Sequence, residues 1–349
     1  MYASLGFDSL TAPQAAVFFA LLLGLLFGAL AERTGFCLRR ALVGADRRAA
    51  GGVWLTALAV ALLGTQSAIA AGWIAFDTHR LHAPDLPVLA IVIGGLLFGA
   101  GMVLTRGCVS RLTVLSATGN LRALMVLLVF AVTAHATMKG VLVPLRSVLS
   151  GPTLPLGEMS SLAALPGGAA AWTALLAIAA LAVAARSGAR PITLLGAALL
   201  GALVPLGWVG TGWILYDDFD PIALQSLSFT LPWSDTLFWT LASSAIPAGF
   251  GVGLIGGVLA GSFLSAAAGG RLAWQSFTAP RETGRYMAGA VLMGTGGVLA
   301  GGCTVGAGLS GVASLSLAAL LALIAMAAGA LALQAVLGRR TTAALQPAE

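Results

Sequence analysis

Charged side chains are scarce in this sequence. They make up 9% of its 349 residues, against roughly a quarter in ordinary soluble domains. Hydrophobic residues account for 59%, a balance that excludes a compact soluble domain with a polar surface. The formal net charge of +6 comes from basic residues between apolar segments. It therefore indicates orientation in a membrane and no nucleic-acid partner.

Cysteine and histidine are also scarce, with three residues of each type. An odd number of cysteines argues against a disulfide framework. The sequence has no C-x-x-C spacing and so does not suggest a structural zinc site, which normally takes four ligands. His79 and His82 fall in an acidic loop, and His135 falls in an apolar segment. We therefore predict no metal site and no cofactor, although soft Cu(I) held by two or three thiolates stays open.

Long apolar runs are what the sequence has in abundance. A membrane-spanning helix needs about 20 mostly apolar residues. We predict an all-α polytopic membrane protein with about nine transmembrane helices and short re-entrant Gly-rich helices. The first run lacks a preceding basic region and a cleavage site, so we expect it to be a retained helix. The runs are Ala15–Ala31, Val53–Phe76, Val88–Leu104, Leu124–Val143, Ala169–Ala185, Ile192–Leu215, Leu237–Ala268, Met287–Ala300 and Val312–Leu337.

The basic residues alternate with acidic stretches along the chain. Positive loops mark the cytoplasmic side of a membrane protein, so we predict a periplasmic N-terminus and a cytoplasmic C-terminus. The basic clusters are Arg39, Arg40, Arg47 and Arg48; Arg106, Arg111 and Arg122; Arg186 and Arg190; Arg271, Arg281 and Arg285; and Arg339 and Arg340.

The run Leu237–Ala268 is too long for one simple span, and Pro247 and several glycines interrupt it. We predict a broken helix or a re-entrant pair here. Irregular backbone at membrane depth is tolerated only where it is buried in protein or lines a wet cavity.

A repeated motif contains all three cysteines. LLFGALAERTGFCLRR and LLFGAGMVLTRGCVSR align Cys37 with Cys108, and a third copy ends at Cys303, each with a glycine nine residues earlier. A weaker copy, GLIGGVLAGSFLSAAAGG, lacks the cysteine. We predict a single transport domain over residues 1–349, made of two repeat halves, 1–146 and 169–340. Internal repeats with interrupted helices are typical of transporters that bind substrate between the repeats.

Three cysteines in matched Gly-rich motifs favour a functional role over simple packing of a buried thiol. Glycine lets backbone N–H groups approach a ligand, and the N-termini of short helices attract anions. A thiol is a weak donor and a polarizable contact. Conduction needs binding that is weak and spread over several sites. We predict a path for a sulfur-containing anion along Cys37, Cys108 and Cys303.

Five further residues are predicted to support that path. Gly35, Gly107 and Gly302 lie one or two residues before the cysteines. Thr304 can donate a hydroxyl hydrogen bond to an oxyanion. Arg33 is a candidate for direct substrate contact, although an ion pair or an interfacial position explains it more simply.

Four stretches resemble the YeeE/YedE family of bacterial membrane proteins, which take up thiosulfate: RTGFCLRR, GAGMVLTRGCVSRLTVLSATGNLRAL, LQSLSFTLP and MAGAVLMGTGGVLAGGCTVGAGLSG. The resemblance implies an hourglass-shaped helical fold in the bacterial inner membrane. It also implies a path in which thiosulfate passes between Cys37, Cys108 and Cys303 by weak S–H···S contacts, in a transporter and not an enzyme. Family members often act beside a small soluble sulfur-carrier protein, so a cytoplasmic partner of that kind is implied, besides membrane lipid.

Two other functions stay open at this stage. The same thiols suit selenium compounds or other soft sulfur species, and a membrane-embedded sulfurtransferase would carry sulfur as a cysteine persulfide. Arg40 and Arg111 occupy the same repeat position, three residues after a cysteine. They serve either as a cytoplasmic funnel for an anion or only as positive-inside topology.

Overall fold

A computed structural model of the chain describes residues 10–217 and 220–343, which are largely α-helical, as predicted. Two strands of two residues each, Asp85–Leu86 (β1) and Leu154–Pro155 (β2), form a small antiparallel pair. In chain order the helices are Ala12–Thr34 (α1), Leu38–Val43 (α2), Arg47–Ala70 (α3), Val88–Leu104 (α4), Val109–Ala117 (α5), Leu121–Lys139 (α6), Val143–Ser150 (α7), Gly168–Ala185 (α8), Pro191–Val209 (α9), Thr230–Ala242 (α10), Phe250–Ala268 (α11), Pro280–Leu299 (α12) and Leu317–Ala343 (α13). The N-terminus, predicted to be periplasmic, and the C-terminus, predicted to be cytoplasmic, fall in residues 1–9 and 344–349, outside the described residues.

The membrane-spanning part agrees with the predicted number of crossings. In the described residues, eight helices or continuous helix pairs are long and apolar enough to cross a membrane. α12 is the ninth long helix, with charged residues in its first turns. Its place in the bundle follows from packing, because Gly289 lies against Gly101 of α4 and Gly94 of α4 lies against Ala300. These contacts make α4 and α12 antiparallel neighbours.

The predicted break in the run Leu237–Ala268 is confirmed. α10 ends at Ala242 and α11 begins at Phe250, with Pro247 and the N-cap Gly249 between them. Proline has no N–H for the helical ladder, which explains why the chain leaves the helix here. The first helix of the pair begins seven residues earlier than the apolar run, at Thr230.

Close helix packing accounts for much of the glycine content. α1 and α11 run parallel, and their backbones touch along a stripe of small residues. A Cβ added at Gly253, Gly257 or Gly261 would lie 2.0–2.2 Å from a carbonyl oxygen of α1. In membranes, small residues at helix interfaces allow such close approach and the dispersion contacts that come with it. These glycines therefore shape the bundle and do not line a path for an ion.

The helix ends divide into two faces. The arginine-rich face contains residues 32–48, 105–122, 186–190 and 269–285 and is tied together by ion pairs. Arg122 contacts Glu282 at 2.8 Å, Arg271 contacts Glu32 at 2.8 Å, and Arg40 pairs with Asp46. The opposite face contains the loop residues 71–87, 140–167, 210–217 and 220–229, which include the strand pair. The predicted alternation of basic and acidic loops thus corresponds to two faces of one helix bundle.

The predicted halves 1–146 and 169–340 are not separate folding units. α1 packs mainly against α11, and α4 packs against α12 and α13, so helices of the two predicted halves interleave. The matched motifs on α4 and α12 run in opposite directions across the bundle. The division into two halves stays a prediction about the sequence repeat.

Candidate functional site

Each cysteine lies just after the end of a long helix, and the backbone conformation before it changes in the same way in all three places. The residue two places before the cysteine is left-handed: Gly35 has φ 65°, Arg106 has φ 60° and Gly301 has φ 75°. Cys37 and Cys108 are then the extended N-caps of α2 and α5, and Cys303 precedes a wide helical turn, Gly306–Gly311. The repeat is therefore a helix break that turns each thiol into the bundle.

The three thiols meet in the core of the bundle. The exposed fractions of Cys37, Cys108 and Cys303 are 4%, 1% and 0%. The side chains of Cys37 and Cys108 are close enough to interact, and Cys108 also interacts with Thr304. The Cys108 sulfur lies 3.3 Å from the Ser110 hydroxyl. Cys303 lies within electrostatic reach of Cys108. The series thus runs from Cys303 through Cys108 to Cys37.

Backbone N–H groups are directed at the sulfurs. The Gly306 N–H donates to the Cys303 sulfur at 3.4 Å, and the N–H groups of Val305 and Phe229 face the same sulfur. Three residues after Cys37 and Cys108, the N–H groups of Arg40 and Arg111 face those thiols in the same way. Clustered backbone amides form a partly positive lining that suits an anion.

A large cavity, which we call the outer cavity, opens toward Cys303 from the face opposite the arginine-rich face. Its volume is about 780 Å³, and its wall includes polar side chains and the backbone of Gly306. Gly306 therefore joins the two, since it lines this outer cavity and its N–H contacts the Cys303 sulfur at 3.4 Å. The polar residues that line the outer cavity are Thr78, His79, Arg80, Trp208, Thr211, Tyr216, Gln225, Ser226, Ser228, Asp235 and Ser310.

Two polar atoms in the wall of the outer cavity have no hydrogen-bond partner in the structure. They are the Ser228 hydroxyl and the indole N–H of Trp208, both shielded from bulk solvent. Nearby polar groups are satisfied, since Ser226 donates to Val204 O at 2.8 Å and Ser310 donates to Leu227 O at 2.8 Å. Buried donors normally have partners, so these two groups are exceptions in the wall of the outer cavity.

The segment His79–His82 is a part of the site that sequence reasoning missed. The sequence analysis placed His79 and His82 only in an acidic loop, whereas in the structure His79 and Arg80 line the outer cavity. Burial, with a contribution from the neighbouring charge of Arg80, lowers the pKa of His79 to about 4. Burial also lowers the pKa of Arg80, whose charge reaches Cys303. One signal was present: Arg80 is a basic residue inside an acidic loop, against the charge pattern of the chain.

A smaller pocket lies at the arginine-rich face. Its volume is about 180 Å³, and it includes Glu32, Arg111 and Arg271. Arg111 is within electrostatic reach of Cys37, whereas Arg271 is held by two hydrogen bonds of 2.8 Å to Glu32. Arg40, at the equivalent repeat position, pairs with Asp46 instead. Of Arg40 and Arg111, only Arg111 therefore lines this smaller pocket, which we call the inner pocket.

The other predicted residues have different positions. Thr304 is 2% exposed and lies beside Cys108. A Cβ on Gly302 would lie 2.9 Å from the Ala307 nitrogen, and one on Gly107 would lie 3.2 Å from a Leu112 methyl carbon. Both glycines therefore keep the turns around the cysteines compact. Arg33 is exposed and donates to the Ser265 hydroxyl at 3.2 Å, at the helix surface and not among the thiols.

In the described residues, no group of three or more His, Cys, Asp or Glu side chains is placed to hold a metal ion. The polar groups around the thiols are hydroxyls and backbone amides, which are donors. The arrangement suits an anion.

Comparison with known proteins gives two matches. The sequence model of a family described as "Sulphur transport" matches residues 33–332. The thiosulfate transporter TsuA of Spirochaeta thermophila is similar, with 26% identity over 339 residues. That alignment covers 92% of this chain and 98% of the relative.

Proposed function

Because the chain belongs to the sulphur transport family, also known as YeeE/YedE, we propose that it takes up thiosulfate along its three buried cysteines. The observation that supports this proposal most directly is the order of groups across the bundle. The outer cavity comes first, followed by Cys303, Cys108, Cys37 and the inner pocket. The named relative supports thiosulfate as the substrate, since it is called a thiosulfate transporter.

The chemistry of thiosulfate fits this series. Its terminal sulfur is soft and carries negative charge, so it accepts a weak S–H hydrogen bond. Its oxygens accept N–H and O–H hydrogen bonds of the kind that Gly306 and Thr304 can offer. A thiol holds the ion less tightly than an arginine would, and three thiols in series divide the passage into short steps.

The charged groups lie at the two ends of the series and the thiols lie in the middle. Arg80 is in the outer cavity and Arg111 is in the inner pocket. A full positive charge beside the central thiols would trap a divalent anion, because electrostatic attraction is strong in a low-dielectric interior. Charges at the ends attract the ion, and weak donors in the middle let it pass.

Net uptake of thiosulfate requires a process that removes the ion on the cytoplasmic side. An inside-negative potential opposes anion entry by about 2.3 kcal/mol per charge at 100 mV, or about 4.6 kcal/mol for a divalent ion. We propose that a small cytoplasmic sulfur-carrier protein consumes thiosulfate at the inner pocket. In this account the arginine-rich face is cytoplasmic and the protein lies in the bacterial inner membrane.

Growth on thiosulfate tests the proposal. In a bacterium without its own thiosulfate uptake, the wild-type protein should restore growth on thiosulfate as sole sulfur source. Cys108→Ala and Cys303→Ala should abolish that growth at equal expression. Ser262→Ala is the matched control, because Ser262 is a fully buried small polar residue at the α1–α11 interface.

The same strains separate the alternatives. Normal growth of both cysteine variants contradicts the thiol path. A stable sulfur adduct on Cys37, Cys108 or Cys303, found by mass spectrometry after exposure to thiosulfate, supports a sulfurtransferase instead. Stronger competition by selenium oxyanions than by thiosulfate supports a selenium transporter.

A further inference from the structure

The short helix α7 turns its apolar side chains outward. Its exposed residues are Pro144, Leu145, Ser147 and Val148, three of them apolar, and Val148 is 72% exposed. Pro144, Leu145 and Val148 are spaced i, i+1 and i+4, so they lie on one side of the helix. α7 packs against α4, α6 and α12, and the half-buried Arg146 falls away from the exposed side. A helix that covers a bundle in water has the reverse arrangement, with polar residues outside.

The preceding helix sets the depth of α7 in the membrane. α6 has 19 residues, which span about 28 Å, close to the roughly 30 Å of a bilayer core. Lys139, its last residue, is exposed and continues the lipid-facing stripe of the helix. A lysine at the end of such a stripe extends its ammonium group to the lipid headgroups. α7 begins four residues later, at Val143, and therefore at the headgroup level. The apolar residues of the stripe are Leu121, Met125, Leu128 and Val132.

The charges near α7 suit the phosphates of a lipid headgroup layer. Lys139 and Arg146 are basic residues on the opposite face, whereas the basic clusters of the chain lie on the arginine-rich face. Among the described residues, neither of the two forms an ion pair. Asp235 is within electrostatic reach of Lys139 but does not pair with it. The exposed ammonium group of Lys139 can therefore contact a phosphate.

We propose that α7 is an interfacial helix, which lies in the headgroup layer of the leaflet opposite the arginine-rich face. Pro144, Leu145 and Val148 contact the upper acyl chains, and Lys139 contacts a phospholipid phosphate. Helices of this kind bury their apolar side about 5–10 Å into the boundary between headgroups and acyl chains. Continuity identifies lipid as the occupant, because the exposed stripe of α6 leads directly into the exposed side of α7.

This position gives the bilayer surface a direct contact with the helices of the thiol series. α7 packs against α4 and α12, and these two helices end just before the turns of Cys108 and Cys303. Lipid that holds α7 in place therefore also supports the packing of the helices that carry these turns. The inference concerns the bilayer and does not depend on the identity of the transported ion.

The accessibility of a spin label tests the depth of α7. A variant with all three native cysteines changed to serine receives one new cysteine, Val148→Cys, which is labelled with a nitroxide. The protein is reconstituted into vesicles of phosphatidylcholine and phosphatidylglycerol. Collisions of the label with oxygen, which concentrates in the bilayer, are compared with collisions with a water-soluble nickel complex. Two matched positions set the scale: Val132→Cys on the lipid-facing stripe of α6, and Asp85→Cys in an exposed loop on the same face as α7.

We expect the oxygen-to-nickel collision ratio at Val148 to be at least about threefold above that at Asp85 and below that at Val132, because the headgroup boundary lies between water and the acyl chains. A ratio equal to that at Asp85 overturns the inference, since α7 then faces water. Low collision rates with both reagents also overturn it, since protein, such as a second copy of the chain, then covers the helix.

Thermal unfolding midpoints check that the labelled variants fold, and Leu145→Cys repeats the test at a second position on the same side of α7. The measurement needs only the folded protein in vesicles. Its outcome is therefore separate from the outcome of the thiosulfate uptake experiments.

Discussion

At the residue scale, the position of each thiol is set by a single left-handed residue before it. Gly35 and Gly301 adopt that conformation without strain, whereas Arg106 adopts it with a side chain and at a cost of about 1–2 kcal/mol. The sequence analysis grouped Gly107 and Gly302, which directly precede their cysteines, with Gly35, which lies two places before Cys37. In the structure the equivalent residue is two places before each cysteine. A glycine-based alignment could not find this, because the second copy has an arginine there.

The histidine beside Arg80 gives a pH dependence of stability. Burial lowers the pKa of His79 to about 4, whereas an unfolded histidine titrates near 6.5. Between these values the unfolded chain binds more protons than the folded chain, so stability falls as the pH drops from about 6.5 to about 4. Burial lowers the pKa of His82 as well, so both residues contribute in the same direction.

We expect His79→Asn to reduce this acid sensitivity. Asparagine keeps an acceptor for the Leu81 N–H but cannot be protonated. Thermal unfolding of the detergent-solubilised protein between pH 7 and pH 4.5 should show a smaller fall in midpoint for the variant than for wild type. Equal falls in the two proteins would contradict the assignment of the proton to His79.

At the element scale, glycine has two separate uses that the sequence alone does not distinguish. Gly253, Gly257 and Gly261 of α11 let its backbone touch α1, and Gly302 keeps the turn at Cys303 compact. From the glycines we predicted broken helices and close approach of the backbone to a ligand, and not the close packing of two helices. Whether a glycine of α11 packs against another helix depends on that helix. The residues of α1 that contact α11 are more than 200 positions away in the sequence.

Two adjacent glycines of α11 test the packing account. A Cβ on Gly257 would lie 2.1 Å from the Leu21 carbonyl oxygen, whereas a Cβ on Gly256 would meet only a Leu21 methyl carbon at 4.0 Å. Gly257→Ala should lower stability by about 1–3 kcal/mol, the usual cost of overpacking. Gly256→Ala should be neutral or slightly stabilising, because alanine favours the helix by up to about 1 kcal/mol.

Thermal unfolding midpoints of the two variants, measured side by side in detergent, check this expectation. A midpoint for Gly257→Ala at or above that of Gly256→Ala would contradict close backbone contact between α1 and α11.

At the scale of the whole molecule, the bundle places a charged cavity at each face and three thiols between them. The nine apolar runs and the break at Pro247 were predictable, because length, hydropathy and proline act locally. The outer cavity was not, since its wall brings together residues within 72–81 and 208–235 with Gly251, Gly306 and Ser310, which are far apart in the chain. The sequence analysis did not single out Arg80, because other residues of the cavity wall, such as Trp208 and Ser228, are far from it in the chain.

The contact between Thr304 and Cys108 was likewise beyond sequence reasoning. The two residues were chosen separately, one as an oxyanion donor and the other as a thiol on the path. Their proximity depends on α12 running antiparallel to α4, which brings the third copy of the motif against the second. The repeat in the sequence indicates matched turns but does not show how they face each other.

The central claim is that thiosulfate crosses the membrane by way of the three thiols. The most direct test is uptake of sulfur-labelled thiosulfate into liposomes that hold either the wild-type protein or a variant with Cys37, Cys108 and Cys303 all changed to serine. Serine caps a helix well and is of similar size, so the variant should fold, which its thermal unfolding midpoint checks. We expect saturable uptake by wild type that excess sulfate does not abolish, and at least a tenfold slower rate for the variant. Equal rates for a folded variant and the wild type would contradict the account.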